Sequence, residues 1–186
     1  MNYKYSGKNK GFTIVELMVS ISIFIVITTL VLIKHSQFSN TLLIENLAYD
    51  IALSIRKAQV FGLSVRETVT GSSEFNVGYG IHFDSDSDDS YIFFADRDKN
   101  KKYDGASETV ESFGLRGGNS ISKFCGTLTK AKGSEKCSSG QGSGEIKFLD
   151  IVFERPNPDA IIKSNIPGHT YASADITVIS PQGKEW

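Results

Sequence analysis

The order of hydrophobic patterns along this chain predicts an α+β fold: one long N-terminal helix followed by an antiparallel β-rich domain. Three observations carry that expectation. Residues 12–33 form a nearly unbroken apolar run, residues 44–58 keep an apolar stripe at three- and four-residue steps, and beyond Gly62 the period drops to two. A length of 186 residues leaves room for one domain after the helix, since domains commonly hold about 100–150 residues.

The first element is a short polar leader. Residues 1–10 carry Lys4, Lys8 and Lys10 and no acid, so this end is expected to stay in the cytoplasm and the rest of the chain to lie outside it. The apolar run that follows is long enough to cross a membrane. It holds one charge, Glu16, near its start. An ionised group in hydrocarbon costs roughly 2.5–3.5 kcal/mol on insertion scales, so Glu16 is expected to find a partner, and an amine is the natural one. A secretory signal would end in a small-residue cleavage site, which residues 30–35 do not offer.

The basic leader, Gly11, Phe12 and Glu16 together resemble the leader of type IV prepilins. That resemblance implies a pilin-like fold and a membrane peptidase that cuts between Gly11 and Phe12 on the cytoplasmic side, then methylates the new amino group of Phe12. Glu16 becomes the fifth residue of the mature chain, placed to neutralise the Phe12 ammonium of a neighbouring subunit. The partners implied are prepilin peptidase, other pilins or pseudopilins met through the N-terminal helix, an inner-membrane assembly platform and membrane lipid. The implied location is the bacterial cytoplasmic membrane, crossed once, and then a pilus or pseudopilus. Residues 47–65, 77–83 and 91–96 also resemble the GspH/FimT pseudopilin group, whereas residues 181–186 lack the glycine-arginine-rich ending of some of its members.

The amphipathic half of the helix comes next. No proline precedes Pro156, and Ile44, Leu47, Ala48, Ile51, Ile55 and Ala58 share one face, with Glu45, Asp50 and Lys57 between them. A helix of about 50 residues would be about 75 Å long, more than twice a hydrocarbon core of about 30 Å, so its second half is expected to protrude and bury its stripe against a domain. The helix is expected to run to about Leu63, and Gly62, near that end, is the only residue in it that would interrupt a helix. The chain is thus expected to divide into a leader at 1–11, a membrane and filament-core helix at 12–34, an amphipathic helix at 35–63 and a β-rich domain at 64–186.

In that last part, residues 64–70, 76–83, 90–96, 108–113, 121–124, 145–153 and 172–180 alternate and are rich in Val, Ile, Phe, Tyr and Thr, the signature of short strands. The predicted packing is one antiparallel sheet against the helix. Residues 134–144, rich in serine and glycine, read as a mobile surface loop. They lack the Gly-Lys-Ser/Thr ending of a phosphate-binding loop.

Cys125 and Cys137, placed outside the cytoplasm by the topology, are expected to form a disulfide. Zinc is disfavoured, because no second pair and no nearby histidine completes a site. The acidic segment from Asp96 to Glu108 has oxygen-bearing side chains spaced much as in a calcium loop. Asp96, Asp98, Asn100 and Glu108 are the expected side-chain ligands, with the Lys102 carbonyl and Asp104, directly or through water. Two features depart from the pattern: Lys101 stands where glycine is usual, and the glutamate comes one residue late. The alternative is a solvated hairpin tip between two strands, whose acids pair with Arg97 and with Lys99, Lys101 and Lys102. Asp84, Asp86, Asp88 and Asp89 read as a solvated turn.

Enzymatic function is not expected. His35, His82 and His169 are scattered, and neither a His-Glu-x-x-His pair nor a Gly-x-Ser-x-Gly elbow occurs. Removing the leader takes three lysines from 20 basic residues against 21 acidic ones and leaves a net charge of −4, with no general attraction to nucleic acid. No cofactor is required, and structural calcium is the one ion expected. The expected function is a minor pilin or pseudopilin. Two alternatives stay open. One is a DNA-binding minor pilin with Lys123, Lys130, Lys132 and Lys136 on phosphates, whose binding would weaken with salt. The other is a fixed membrane-anchored adhesive module.

Overall fold

The computed structural model describes residues 11–64, 77–130, 134–138, 146–183 and 185–186, with residues 34–41 described by their backbone alone. The chain divides into two units, Met1–Asn40 and Thr41–Trp186, and helix α1 (Ile14–Leu63) contributes to both.

In the first unit Thr13 caps the helix. Its Oγ1 accepts the Glu16 backbone N–H at 3.2 Å, and its carbonyl accepts the Leu17 N–H at 3.1 Å. Thr-x-x-Glu is the spacing of a capping box, which explains why helix starts at Ile14 and not at Phe12. Over Ile14–Ile33 the mean hydropathy is 2.5, and none of the segment is buried in the chain. Its hydroxyls are satisfied internally. Ser20, Ser22, Thr28 and Thr29 each donate to the carbonyl four residues back, at 2.7–2.8 Å. This back-bonding removes the need for water along the span.

In the second unit α1 buries the predicted stripe. Ile44, Leu47, Ile51 and Ala58 are buried, with Ala48 and Ile55 packed against the same core. Ser54 lies on this face too, its hydroxyl 3.0 Å from that of Tyr91. The helix ends at Leu63, the boundary expected from the sequence, one residue beyond Gly62. The Ser64 N–H still bonds to the Val60 carbonyl at 3.0 Å, so the helical pattern persists past Gly62.

Among the described residues eight strands follow: β1 (Gly78–Asp84), β2 (Ser90–Asp96), β3 (Thr109–Gly114), β4 (Ser120–Leu128), β5 (Glu135–Cys137), β6 (Phe148–Glu154), β7 (Asn157–Ser164) and β8 (Tyr171–Ile179). They form two antiparallel sheets where one was expected, five strands ordered β3-β2-β1-β6-β7 and three ordered β5-β4-β8. Of the expected strand at 64–70, Ser64 instead closes the end of the helix and residues 65–70 lie outside the described residues. Part of the expected loop at 134–144 is instead β5, whose three residues pair with β4 in the register Cys125↔Cys137, Gly126↔Lys136, Thr127↔Glu135. The remainder of that loop, from 139, lies outside the described residues. β7 was not foreseen. Phe83 of the first sheet and Phe124 of the second, both buried, bring their rings to 6.3 Å, so one core serves both sheets. Residues 185–186 fold back on β8, where Trp186 and Val178 exchange two backbone hydrogen bonds of 2.9 and 3.0 Å. The Trp186 ring then lies 6.2 Å from Tyr49 of α1.

Candidate functional site

At the N-terminal motif, Gly11 and Phe12 precede the helix and are exposed. Phe12 is 77% exposed, and from Ile14 to Ile33 the large apolar side chains stand as open, half or more of each surface free. Among the described residues the Glu16 carboxylate has no hydrogen-bond or ion-pair partner. The hydroxyls of the same span are all engaged, so Glu16 is its one polar side chain left to be matched. Thr13, which fixes the start of the helix, was missed at the sequence level. The Thr-x-x-Glu spacing could have revealed it.

The second constellation is the loop between β2 and β3. Asp96 ends β2 and is 1% exposed; Glu108, 3% exposed, stands just before β3. Antiparallel pairing of these strands brings the two ends of the loop together, with the Ala95 N–H on the Glu108 carbonyl at 2.9 Å. One carboxylate oxygen from each of Asp96, Asp98 and Glu108 lies within 4.8 Å of the other two.

The backbone of the loop turns toward these acids. Glu108 accepts the Arg97 N–H on Oε1 and the Asp104 N–H on Oε2, both at 3.0 Å. Asp96 accepts the Lys101 N–H on Oδ2 at 3.0 Å, and Asp98 accepts the Asn100 N–H on Oδ1 at 3.1 Å. Lys101 adopts φ 67°, the left-handed conformation for which glycine is the usual choice. Its side chain does not, therefore, prevent the tight turn. Of the other expected ligands, Asn100 uses its amide to donate to Asp98 and Asp104 while its Oδ1 accepts the Lys102 N–H at 2.8 Å. Asp104 stands exposed on that outer side, apart from the cluster of three.

Burial foremost pushes the Asp96 carboxyl up to about 6, opposed by the Lys101 N–H and assisted by Asp98 and Glu108. Asp96 Oδ1 is buried and has no hydrogen-bond partner. Among the described residues, none of Arg97, Lys99, Lys101 and Lys102 is ion-paired to an acid of the loop. Lys101 reaches instead to Glu154 of β6 at 3.2 Å, and the Lys102 ammonium lies 5.9 Å over the Phe148 ring.

Below the loop lies a pair that the sequence did not reveal. His82 of β1 and Asp150 of β6 are cross-strand partners, with Nδ1 and Oδ1 2.6 Å apart. Asp150 is fully buried; burial pushes its carboxyl up, while the His82 bond and the Tyr103 N–H pull it back. That N–H reaches Asp150 Oδ2 at 3.3 Å and ties the loop to the sheet. The rings of Tyr103 and Phe148 enclose the imidazole at 4.6 and 5.9 Å, and among the described residues no hydroxyl or thiol is hydrogen-bonded to it. A nucleophile would need such a bond to be activated.

Elsewhere, Cys125 and Cys137 form a disulfide between directly opposed residues of β4 and β5, their Cα atoms 4.0 Å apart. No thiolate is therefore left for a metal beside Glu135. Asp84 to Asp89 form a turn, with the Asp86 N–H on Asp84 Oδ1 at 3.0 Å. Of the lysines considered for DNA, Lys123 and Lys130 are exposed, Lys136 is half-buried on β5, and Lys132 lies outside the described residues.

Residues 6–32 match the family model described as the prokaryotic N-terminal methylation motif. No curated protein and no solved structure matches the chain. The matched residues include Gly11, Phe12 and Glu16, and the N-terminal segment therefore carries the methylation motif of type IV pilin-type subunits.

Proposed function

We propose that the chain is a minor pilin or pseudopilin, a structural subunit cut between Gly11 and Phe12, methylated on the Phe12 amine and built into a short filament. The observation that carries this reading is Glu16, the sole charge of an apolar span whose hydroxyls are already satisfied within the helix. A carboxylate kept there without a partner among the described residues fits pairing between chains. The ammonium created at Phe12 by cleavage is the complementary charge, and a staggered neighbour brings the two together without stranding either in lipid. The uncovered apolar surface from Leu17 to Ile33 fits the same assembly, since it packs against lipid before extraction and against neighbouring helices after it. The outer domain then supplies a compact, disulfide-stapled head. The pattern at 47–65 favours the GspH/FimT group within this class.

Processing and assembly are tested separately. Intact mass of protein purified from membranes containing its prepilin peptidase should show loss of residues 1–11 and gain of one methyl group, and Gly11→Arg should remain uncut. Glu16→Ala should insert and be cut, yet be recovered in sheared filaments at a tenth or less of the wild-type amount. Wild-type protein that stays uncut leaves a fixed anchor and removes the filament reading, while normal recovery of Glu16→Ala removes Glu16 from the mechanism.

A further inference from the structure

We propose that the β2–β3 loop binds one Ca²⁺ ion, held by Asp96, Asp98 and Glu108, with the Lys102 carbonyl and water completing the shell. The inference rests on this loop and does not depend on processing at Gly11. Two independent observations support it. The first is convergence: three carboxylate oxygens lie within 4.8 Å of one another, and oxygens bound to one Ca²⁺ at 2.3–2.6 Å are at most about 5 Å apart.

The second is an unmatched acceptor on the buried member of the cluster. Asp96 is 1% exposed and its Oδ1 has no partner, a condition that costs free energy unless something positive meets it. Among the described residues no basic side chain of the loop does so: Arg97 and Lys99 form no ion pair, Lys101 is turned to Glu154 and Lys102 to Phe148. Backbone N–H groups engage Asp96 Oδ2 and both oxygens of Glu108. Each such oxygen keeps a second lone pair, so these bonds hold the carboxylates in place without blocking an ion.

Chemistry selects the ion. The donors are oxygen only, with no histidine or cysteine, which disfavours zinc and the softer metals. Three protein carboxylates on a loop of irregular spacing suit the adaptable six- to eight-fold shell of Ca²⁺ better than the compact octahedron of Mg²⁺. Bound Ca²⁺ would meet the unpartnered Asp96 oxygen and relieve the repulsion among the three acids.

The test is equilibrium dialysis of the full chain in detergent micelles, stripped with a chelator and titrated with Ca²⁺. Wild type should bind one ion per chain. Asp98→Ala should bind at least tenfold more weakly, and Asp88→Ala, in the β1–β2 turn, should bind as wild type. Asp98 is exposed, so this variant should keep the wild-type circular dichroism spectrum even if Glu108→Gln does not fold. Sites in extracellular modules bind at about 10⁻⁴–10⁻³ M, so absence of saturable binding up to about 10 mM overturns the proposal. Unchanged binding in Asp98→Ala, loss of binding in Asp88→Ala, or displacement of Ca²⁺ by an equal concentration of Mg²⁺ overturns it as well.

Discussion

Gly62→Ala sets local helix propensity against packing, and the structure decides which is larger. In an isolated helix the substitution should help, because alanine is favoured over glycine by about 0.8–1.0 kcal/mol in a helix interior. Here an added Cβ would lie 2.1 Å from the Phe153 carbonyl oxygen, 2.8 Å from its carbon and 3.1 Å from the Phe153 Cβ. Carbon and oxygen approach to about 3.3 Å even in close C–H···O contacts, so the helix end and β6 would have to separate by about 1 Å. Both are fixed by the shared core, and the obstacle is backbone, which cannot rotate away. Overpacking of this kind costs about 1–3 kcal/mol. Taking the upper value for a backbone clash and subtracting the propensity gain leaves a net loss of about 2 kcal/mol, or about 4–8 °C in Tm for a chain of this size. Thermal unfolding of the full chain in micelles, followed by circular dichroism, reads this directly. Gly114→Ala is the control, because its Cβ would meet nothing within 4 Å, and its Tm should stay within about 1 °C of wild type. A Gly62→Ala protein as stable as wild type, or more so, would show that α1 is not held against β6 in solution and would refute the packing argument.

Asp150→Ala should lower Tm by about 6–12 °C in the same assay, corresponding to about 3 kcal/mol, because it leaves His82 buried without its partner and releases the Tyr103 N–H. A shift below about 2 °C would mean that the pair contributes nothing net. Replacing both Cys125 and Cys137 by serine should cost about 3 kcal/mol in the chain-entropy account of a loop this short, and reduction of the wild-type protein should reproduce the loss. Equal melting of oxidised and reduced protein would count against a stabilising staple.

The strands most legible in sequence were those of the central hairpin. β2 was expected at 90–96 and occurs there, because its alternation is strong and turn residues bound it on both sides. β7 was missed because its first half, with Asn157, Pro158 and Asp159, is exposed and reads as a turn; only pairing with β6 makes it a strand. β5 is three residues long and polar, and it exists through its register with β4 and the Cys125–Cys137 bridge. In the acidic loop, spacing named six residues; the fold brings one carboxylate oxygen each of Asp96, Asp98 and Glu108 within 4.8 Å of one another, and hydrogen-bonds the Asn100 amide to Asp98. Whether the lysines would neutralise the acids was open in sequence, because side chains of that length can reach several partners. Glu154 and Phe148 of β6 draw them away.

By itself the sequence determined what depends on near neighbours in the chain: a membrane-length span with one carboxylate, a processing motif ahead of it, a helical stripe and a run of strands. These are local because helix period, strand period and hydrocarbon solubility are set by residues a few positions apart. Tertiary structure alone decided what depends on residues far apart: division of the strands into two sheets, the His82–Asp150 pair 68 positions apart, and the closure of the loop ends that brings Asp96 to Glu108. The physical reason is that an antiparallel register joins backbone groups without regard to side-chain type, so the partners it creates carry no signature in either segment alone.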